Sequence, residues 1–536
     1  MICLTLLFFY AIMARVFDYK REKMEVLVIG LDGAPYHLLA KVSKKMPTLA
    51  SLMDNGSYGI LTSTIPALSL LAWPVFYTGK NPGKIGVYVT RLVRDSVEEV
   101  KLPTSHDVKA PAIWEILSNH KKKVGVVNIP VTYPPKPVNG FLITGFLTPP
   151  SSDDFVYPPE LKSELKEYTI DLDVLTEDKK LPEHDVDKSV LLQKQYDITQ
   201  KRAATCLRLI RDHQPDFFIV NFKGLDNMQH LFWHKQDVIV AFYEKLDTLL
   251  KQFIDTVKPK NTVIMSDHGF HARSTKYFHI NTYLEREGFL FRNKSLKGRL
   301  SILTYTVGVK LVEVFPFIRN LVPEKAKSSV GIKQMTDRID WSKTIAYADF
   351  HRGIFINKEI AGTERDKVAQ AIVEKMMACE DPHSGKKVFK TVKRKEEIFS
   401  GPYFDLLPDI VWLPDTDYRI NANLYPALIS RRLDAPHITG EHMAAADGIF
   451  ILNGSGVMGS TRIEGAHIAD LAPTILYMMD VPIPSDMDGK VLRRAFETSY
   501  REPQYTKAGE AEKKDFAFTQ KEEKKLEERL KGLGYL

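Results

Sequence analysis

The sequence predicts an α/β fold with a mainly parallel central sheet and inserted segments. Three observations carry this: short apolar runs bounded by turn residues recur, stretches of helical period separate them, and two segments break the rhythm. The candidate strands are 26–29, 123–128, 140–143, 217–221, 262–265 and 448–452, each four to six residues of buried character. Between them, 191–213 and 238–257 have the length and apolar spacing of helices. The chain has 536 residues, of which 44% are hydrophobic, and shows no internal repeat, so a large core with insertions fits better than a repeat array.

Taken in order, residues 1–23 are an apolar leader or a mis-annotated start, since Met24 directly precedes the first convincing strand. The run MICLTLLFFYAIMA lacks a positive region before it and is short for a membrane span. Arg15, Lys20, Arg21 and Lys23 follow it and would keep the rest of the chain on the cytoplasmic side if it inserted. A cytoplasmic location is expected, with membrane association through this segment as the alternative. Core sections are expected at 24–147, 189–269 and 380–505, a loop-rich insertion at 148–188, a cap at 270–379 and a charged helix within 506–536, read over 513–530 with Gly532 and Gly534 as stops. Within the cap, the apolar and basic stretch 296–327 is expected to form packed helices, since Lys310, Glu313 and Arg319 interrupt any membrane-facing surface.

Composition narrows the chemistry. Basic residues number 74 against 67 acidic ones, dispersed along the chain, so no nucleic-acid footprint is implied. The three cysteines, Cys3, Cys206 and Cys379, are far apart, which excludes a disulfide framework and a Cys-rich zinc module. Metal ions would therefore need His and carboxylate ligands.

Such ligands appear at strand ends. VLVIGLDG runs a buried strand into Asp32, although Asp-Gly is also a common turn pair. IMSDHGF ends a second strand with Asp267 and His268. FFIVNFKGLDNMQHLFW leads a third strand to Asp226 and His230, whose four-residue spacing puts both on one face of a helical turn. Mixed Asp and His ligation suits zinc, with manganese or iron able to occupy the same groups. Ser69 begins an apolar helical run in TIPALSLLAWPVFYTGKNPGK. On pattern alone it is a helix N-cap, yet a helix N-terminus also attracts phosphate, and a nearby divalent ion can stabilise a serine alkoxide.

These segments together resemble the alkaline phosphatase superfamily, specifically the prokaryotic type I phosphodiesterase/nucleotide pyrophosphatase branch. The matching pieces, in order, are LDGA, MPTLASLMDNG, the Ser69 segment, NIPVTYPP, DNMQH, SDHG, GEH with His442 before DGIFILNGSG, and IADLAPTILYMMDVPIPSDMDGKVL. The resemblance implies an alkaline-phosphatase-like three-layer α/β/α sandwich. It implies two divalent ions, one held by Asp32, Asp267 and His268 and the other by Asp226, His230 and His442. Ser69 would lie between ions roughly 3.5–4 Å apart, as metal ligand and nucleophile, forming a phosphoserine that hydrolysis releases. His437 and His467 compete with His442 and are expected to be structural or surface residues.

Two departures matter. Residues 86–90, GVYVT, lack the Asn with which nucleotide pyrophosphatases bind a phosphate oxygen, so nucleotide specificity does not carry over, and Ser69 stands where that branch usually has Thr. Leu70, Leu71, Ala72 and Trp73 replace the x-Pro-x-Arg of sulfatases, which disfavours arylsulfatase activity. The expected activity is metal-dependent hydrolysis of a small phosphorylated substrate by a phosphodiesterase/nucleotide pyrophosphatase-like enzyme. The alternatives are a phosphomonoesterase or phosphosugar mutase of the same superfamily, and a non-catalytic protein binding phospholigands or lipid. Lys80, Lys84, Arg91 and Lys223 are expected to be solvated surface charges.

Overall fold

The computed structural model describes residues 24–532, apart from 89–90, 93–99, 151, 172–184, 315–337, 350–352, 361, 433–436, 508 and 510–515. The leader therefore lies outside the described residues. A ten-stranded sheet runs through the chain. Its order is Thr461–Arg462, Ser57–Thr62, Asp447–Gly454, Asn261–Met265, Val26–Gly30, Phe217–Asn221, Val124–Ile129, Gly140–Thr144 and Val156–Tyr157, with Ala466–His467 also beside Ser57–Thr62. The five strands from Asn261–Met265 to Gly140–Thr144 are parallel. Asp447–Gly454 runs antiparallel to both of its neighbours.

The central strand VLVIG is buried throughout, as a parallel strand covered on both faces must be. Its alternate side chains divide between two cores. Val26 and Val28 pack with Trp73, Phe76 and Ile475 from helices Ser69–Thr78 and Leu471–Met478. Leu27 and Ile29 pack with Phe242 and Leu246 from helix Gln236–Val257. Helices on both sheet faces make three layers, the α/β/α sandwich expected. Helix Gln236–Val257 buries Ile239, Phe242, Leu246, Leu250 and Phe253, spaced three or four apart, and ends at Lys258 with a left-handed φ of 48°. Its buried Asp247 accepts hydrogen bonds from the Thr48 and Leu49 amides at 3.0 and 2.8 Å, capping helix Pro47–Asp54.

The inserted body differs from the helical cap expected. Ala346–Asp349, Gly353–Ile356, Ile410–Pro414 and Phe389–Arg394 form an antiparallel four-stranded sheet with its own core, including Phe278, Leu284, Ile372 and Phe389. This sheet continues across residue 379, where the cap was expected to end. Its strands are only four to six residues long, and half of FKTVKR is charged, so the apolar runs GIFI and IVWLP do not by themselves announce a sheet. Helix Leu296–Val314 does form, but Leu296, Leu300, Leu303, Val307 and Leu311 are exposed, against the expectation that it packs. A peripheral helix buries one face only, and this segment is apolar on more than one. The remainder of that stretch, 315–327, lies outside the described residues.

The C-terminal helix is Gln520–Gly532, shorter than the 513–530 expected. It starts after Thr519, whose amide donates to Glu522 Oε2 at 2.9 Å while Thr519 Oγ1 accepts from the Glu522 amide at 3.4 Å. Leu526 and Leu530 dock it into the core. Among the described residues no helix is long and apolar enough to cross a membrane.

Candidate metal centre

Strand register builds the site. Gly30 is paired with both Asn221 and Met265, so three parallel strands end in one row. Asp32 and Asp267 each follow that row by two residues. Asp226 opens helix Gly224–Phe232 just beyond Asn221, and His230 follows it by one turn on the same face, with Nε2 3.4 Å from Asp226 Oδ1. A Cβ on Gly30 would stand 2.7 Å from Trp73 Cη2. Glycine there lets helix Ser69–Thr78 close against the strand ends.

Ser69 is the first residue of that helix, and Leu68, not Ser69, occupies the capping position. The Ser69 hydroxyl instead lies 3.1 Å from His268 Nε2 and 3.5 Å from Asp32 Oδ1, fully buried. The capping alternative for Ser69 is thereby corrected.

Each histidine is held by its far nitrogen. Nδ1 of His230 donates to Gly440 O at 2.9 Å, that of His268 to Gly269 O at 2.9 Å, and that of His442 to Ala67 O at 2.8 Å. All three rings thus present Nε2 to the carboxylates: His268 Nε2 is 3.3 Å from Asp267 Oδ2, and His442 Nε2 is 3.9 Å from Asp226 Oδ1. Backbone carbonyls that fix the tautomer in this way are the usual second partners of metal-binding imidazoles. Ligand atoms of Asp32, Asp267 and His268 lie within 4.8 Å of one another, as do those of Asp226, His268 and His442. His268 is common to both triplets, whereas the family resemblance places His230 in the second. The rings of His268 and His442 stack at 3.9 Å. Asp267 Oδ2 is buried without a hydrogen-bond partner among the described residues, while Oδ1 accepts from the Gly33 amide at 3.2 Å. A buried carboxylate oxygen and converging imidazole nitrogens fit a divalent cation.

Electrostatics separate the carboxylates. Burial, and next the Asp267 carboxylate, push Asp32 up to about 7. Burial opposes ionisation of Asp226 too, yet Lys223, His230 and His442 hold it well below the usual carboxylate range. Burial, then His268, keep His442 neutral, the form in which imidazole binds metal.

The loop bearing His442 is anchored from below. Gly440–Glu441 pairs antiparallel with His271–Ala272. The buried Glu441 carboxylate accepts from Arg432 at 2.5 Å, Arg419 at 3.2 Å and the Ser274 amide at 2.8 Å. Against the effect of burial, the two arginines hold it well below its ordinary value. His467 serves elsewhere: its Nδ1 accepts from the Ala469 amide at 3.2 Å, and neither it nor His437 belongs to the metal-type groups among the described residues.

Two of the four cations expected at the surface are buried. Lys223 lies 2.8 Å from Asp226 Oδ2 and 3.7 Å from Asp32 Oδ1, with its ammonium 4.6 Å from the Phe146 ring centre. Lys80 is buried on Asp486, and the partly exposed Lys84 pairs with Asp488 at 2.6 Å. Arg91's side chain is outside the described residues. The sequence reading also gave no role to Asn221, whose amide donates to Asp32 Oδ2 at 2.8 Å. The available signal for both was a polar residue within FFIVNFKGL, where apolar neighbours on each side imply burial.

A family model described as type I phosphodiesterase / nucleotide pyrophosphatase matches residues 26–443, more than half of the chain. Among solved structures, murine ectonucleotide pyrophosphatase / phosphodiesterase 5 is similar with a TM-score of 0.50 at 14% identity, over 89% of this chain and 100% of that one. The human protein of that name gives 0.49 at 14% identity, over 88% and 98%. An inactive murine form in complex with AMP gives 0.48 at 15% identity, over 86% and 96%. At such identities the likeness concerns the fold. No curated protein sequence matches the chain.

Proposed function

The chain belongs to the type I phosphodiesterase/nucleotide pyrophosphatase family and is a phosphoric ester hydrolase, and from that premise we propose that it cleaves a phosphodiester through Ser69 beside a pair of divalent ions. The observation that carries this reading is the placement of Ser69 Oγ, 3.1 Å from His268 Nε2 and 3.5 Å from Asp32 Oδ1, where two triplets of ligand atoms meet. Asp32, Asp267, His268, Asp226 and His442 would hold the ions, with His230 beside Asp226. The mixed nitrogen and oxygen donors favour zinc over magnesium or calcium.

The ions, when bound, supply charge stabilisation to the serine alkoxide and to the departing oxygen. The protein's own residues do the rest. Helix Ser69–Thr78 aims Oγ at phosphorus from a buried position, so few competing waters reach it. The Ser69 Oγ–P bond forms as the P–O bond to the leaving alcohol breaks. Water then attacks phosphorus, the Oγ–P bond breaks, and a phosphate monoester leaves with Ser69 restored. Lys223 and Asn221 keep Asp226 and Asp32 oriented throughout.

Metal analysis of the purified protein and turnover of a chromogenic phosphodiester test the reading. Ser69→Ala is expected to lower turnover by about three orders of magnitude with bound metal unchanged. Full activity in that variant would remove the serine, and faster turnover of monoesters than diesters would move the assignment to a phosphomonoesterase.

A further inference from the structure

Helix Leu296–Val314 carries an arrangement the hydrolase site does not use. Leu296, Leu300, Leu303, Val307 and Leu311 follow one another at steps of four, three, four and four residues, which aligns them along a single helical face. All five are exposed, between 45% and 87%, an unusual density of large apolar groups in water for one element. The helix is tied down elsewhere: Arg338 Nε donates to Ser301 Oγ at 3.3 Å, and Gly298 is buried.

Charge selects the occupant. From residue 292 to the helix end at Val314 the sequence has five basic residues, Arg292, Lys294, Lys297, Arg299 and Lys310, against one acidic residue, Glu313. Arg292 is engaged by Glu285 at 2.6 Å, whereas Lys294 and Arg299 are exposed. A second copy of the chain would bring the same cations face to face across the stripe. The following segment, 315–337, is itself net basic, with Arg319, Lys325, Lys327 and Lys333 against Glu324 and Asp337. The partner these charges fit is anionic and apolar at once. An apolar stripe on a helix with an excess of cations, Glu313 being its one acidic residue, is the pattern of a helix lying flat in a lipid headgroup region, and the helix is not apolar enough to span.

We propose that the exposed face of helix Leu296–Val314 is a docking surface for an anionic lipid bilayer, in whose interface the helix lies parallel to the membrane plane. The five apolar side chains enter the acyl boundary while the basic residues meet lipid phosphates. The hydrolase core is thereby held at a membrane surface by an element separate from its reaction centre.

Flotation of the full-length protein with vesicles tests this directly. Binding is expected to vesicles of equal parts phosphatidylcholine and phosphatidylglycerol, and to be about tenfold weaker with phosphatidylcholine alone or in high salt. The triple variant Leu300→Glu/Leu303→Glu/Val307→Glu is expected to lose about tenfold or more in vesicle binding while keeping its turnover of a soluble phosphodiester. A single variant, Leu303→Trp, should shift its added fluorescence to the blue on anionic vesicles only. Failure of the native protein to float would overturn the proposal. So would a triple variant that floats as well as the native chain, which would assign binding to another segment such as the leader. An unshifted Leu303→Trp emission, or a native dimer that the triple variant dissolves without any vesicle binding, would overturn it equally.

Discussion

At the carboxyl edge of the sheet, Asp32, Asp226, Asp267, His230, His268, His442 and Lys223 are all buried; on helix Leu296–Val314 five large apolar side chains stand in water. Both regions violate the ordinary partition of polar and apolar groups, and they differ in where the compensation lies. In the first, every charge faces an opposite charge or a hydrogen-bonding group of the same chain, down to the carbonyls that pin each imidazole. In the second, the chain supplies no cover among the described residues. The buried charges are thus compensated within the chain, and the exposed apolar face is compensated by nothing among the described residues.

That contrast can be broken by experiment, starting at the sheet edge. Lys223→Met leaves Asp32 and Asp226 facing each other without their shared cation. The metal-free protein is expected to lose about 3–5 kcal/mol, the usual cost of stranding a buried partner. Added zinc should restore most of it, because a divalent ion replaces the missing charge. Thermal melts with and without metal would show this, and equal melting of variant and native apo protein would contradict it.

A buried histidine in the inserted body offers an intermediate test. Burial lowers the His279 imidazole to about 3 from an ordinary value of 6.5; its Nε2 meets Ser430 Oγ at 2.8 Å and its ring stacks on Tyr425. The unfolded chain takes up a proton below pH 6.5 that the folded chain refuses until about pH 3, so stability is full above 6.5 and falls as pH drops through that window. Between pH 7 and pH 5 the group accounts for about 2 kcal/mol, at 1.36 kcal/mol per unit. Urea unfolding of His279→Asn and native protein at both pH values should show a flatter acid slope in the variant.

The smallest effect sharpens the comparison most. Leu303→Ala is expected to change stability by less than about 0.5 kcal/mol, since its side chain already stands in water. Leu246→Ala, in the helix that covers the central sheet, should cost about 2–5 kcal/mol. Chemical denaturation of the pair would reveal hidden cover over the stripe if the two costs came out alike.

Much of the candidate metal edge was legible as sequence because five of its six ligand candidates follow a buried strand at short range, whereas His442 precedes its strand and was reached by resemblance. Asp32 and Asp267 stand two residues past an apolar run, and Asp226 and His230 share a helical turn. The residues that escaped are those whose burial depends on partners far along the chain. Lys223 was expected in solvent, yet Asp32 and Phe146 close over it. Ser69 carried two readings, a helix cap by pattern alone and a nucleophile by resemblance, and only the fold brings His268 to its hydroxyl. The four-stranded sheet of the insertion was hidden because its strands are only four to six residues long and Phe389–Arg394 is half charged.

Local pattern alone determined the α/β class, six of the ten strands of the central sheet and the candidate ligands Asp32, Asp226, His230, Asp267 and His268, because a buried strand needs a continuous apolar run and its polar terminus follows within a few residues. The tertiary structure decided which of those ligands share a pocket, that Lys223 lies among them, and that one face of helix Leu296–Val314 stays uncovered. Each of these depends on contacts between segments tens to hundreds of residues apart, and such contacts are set by packing and register, which no stretch of sequence carries by itself.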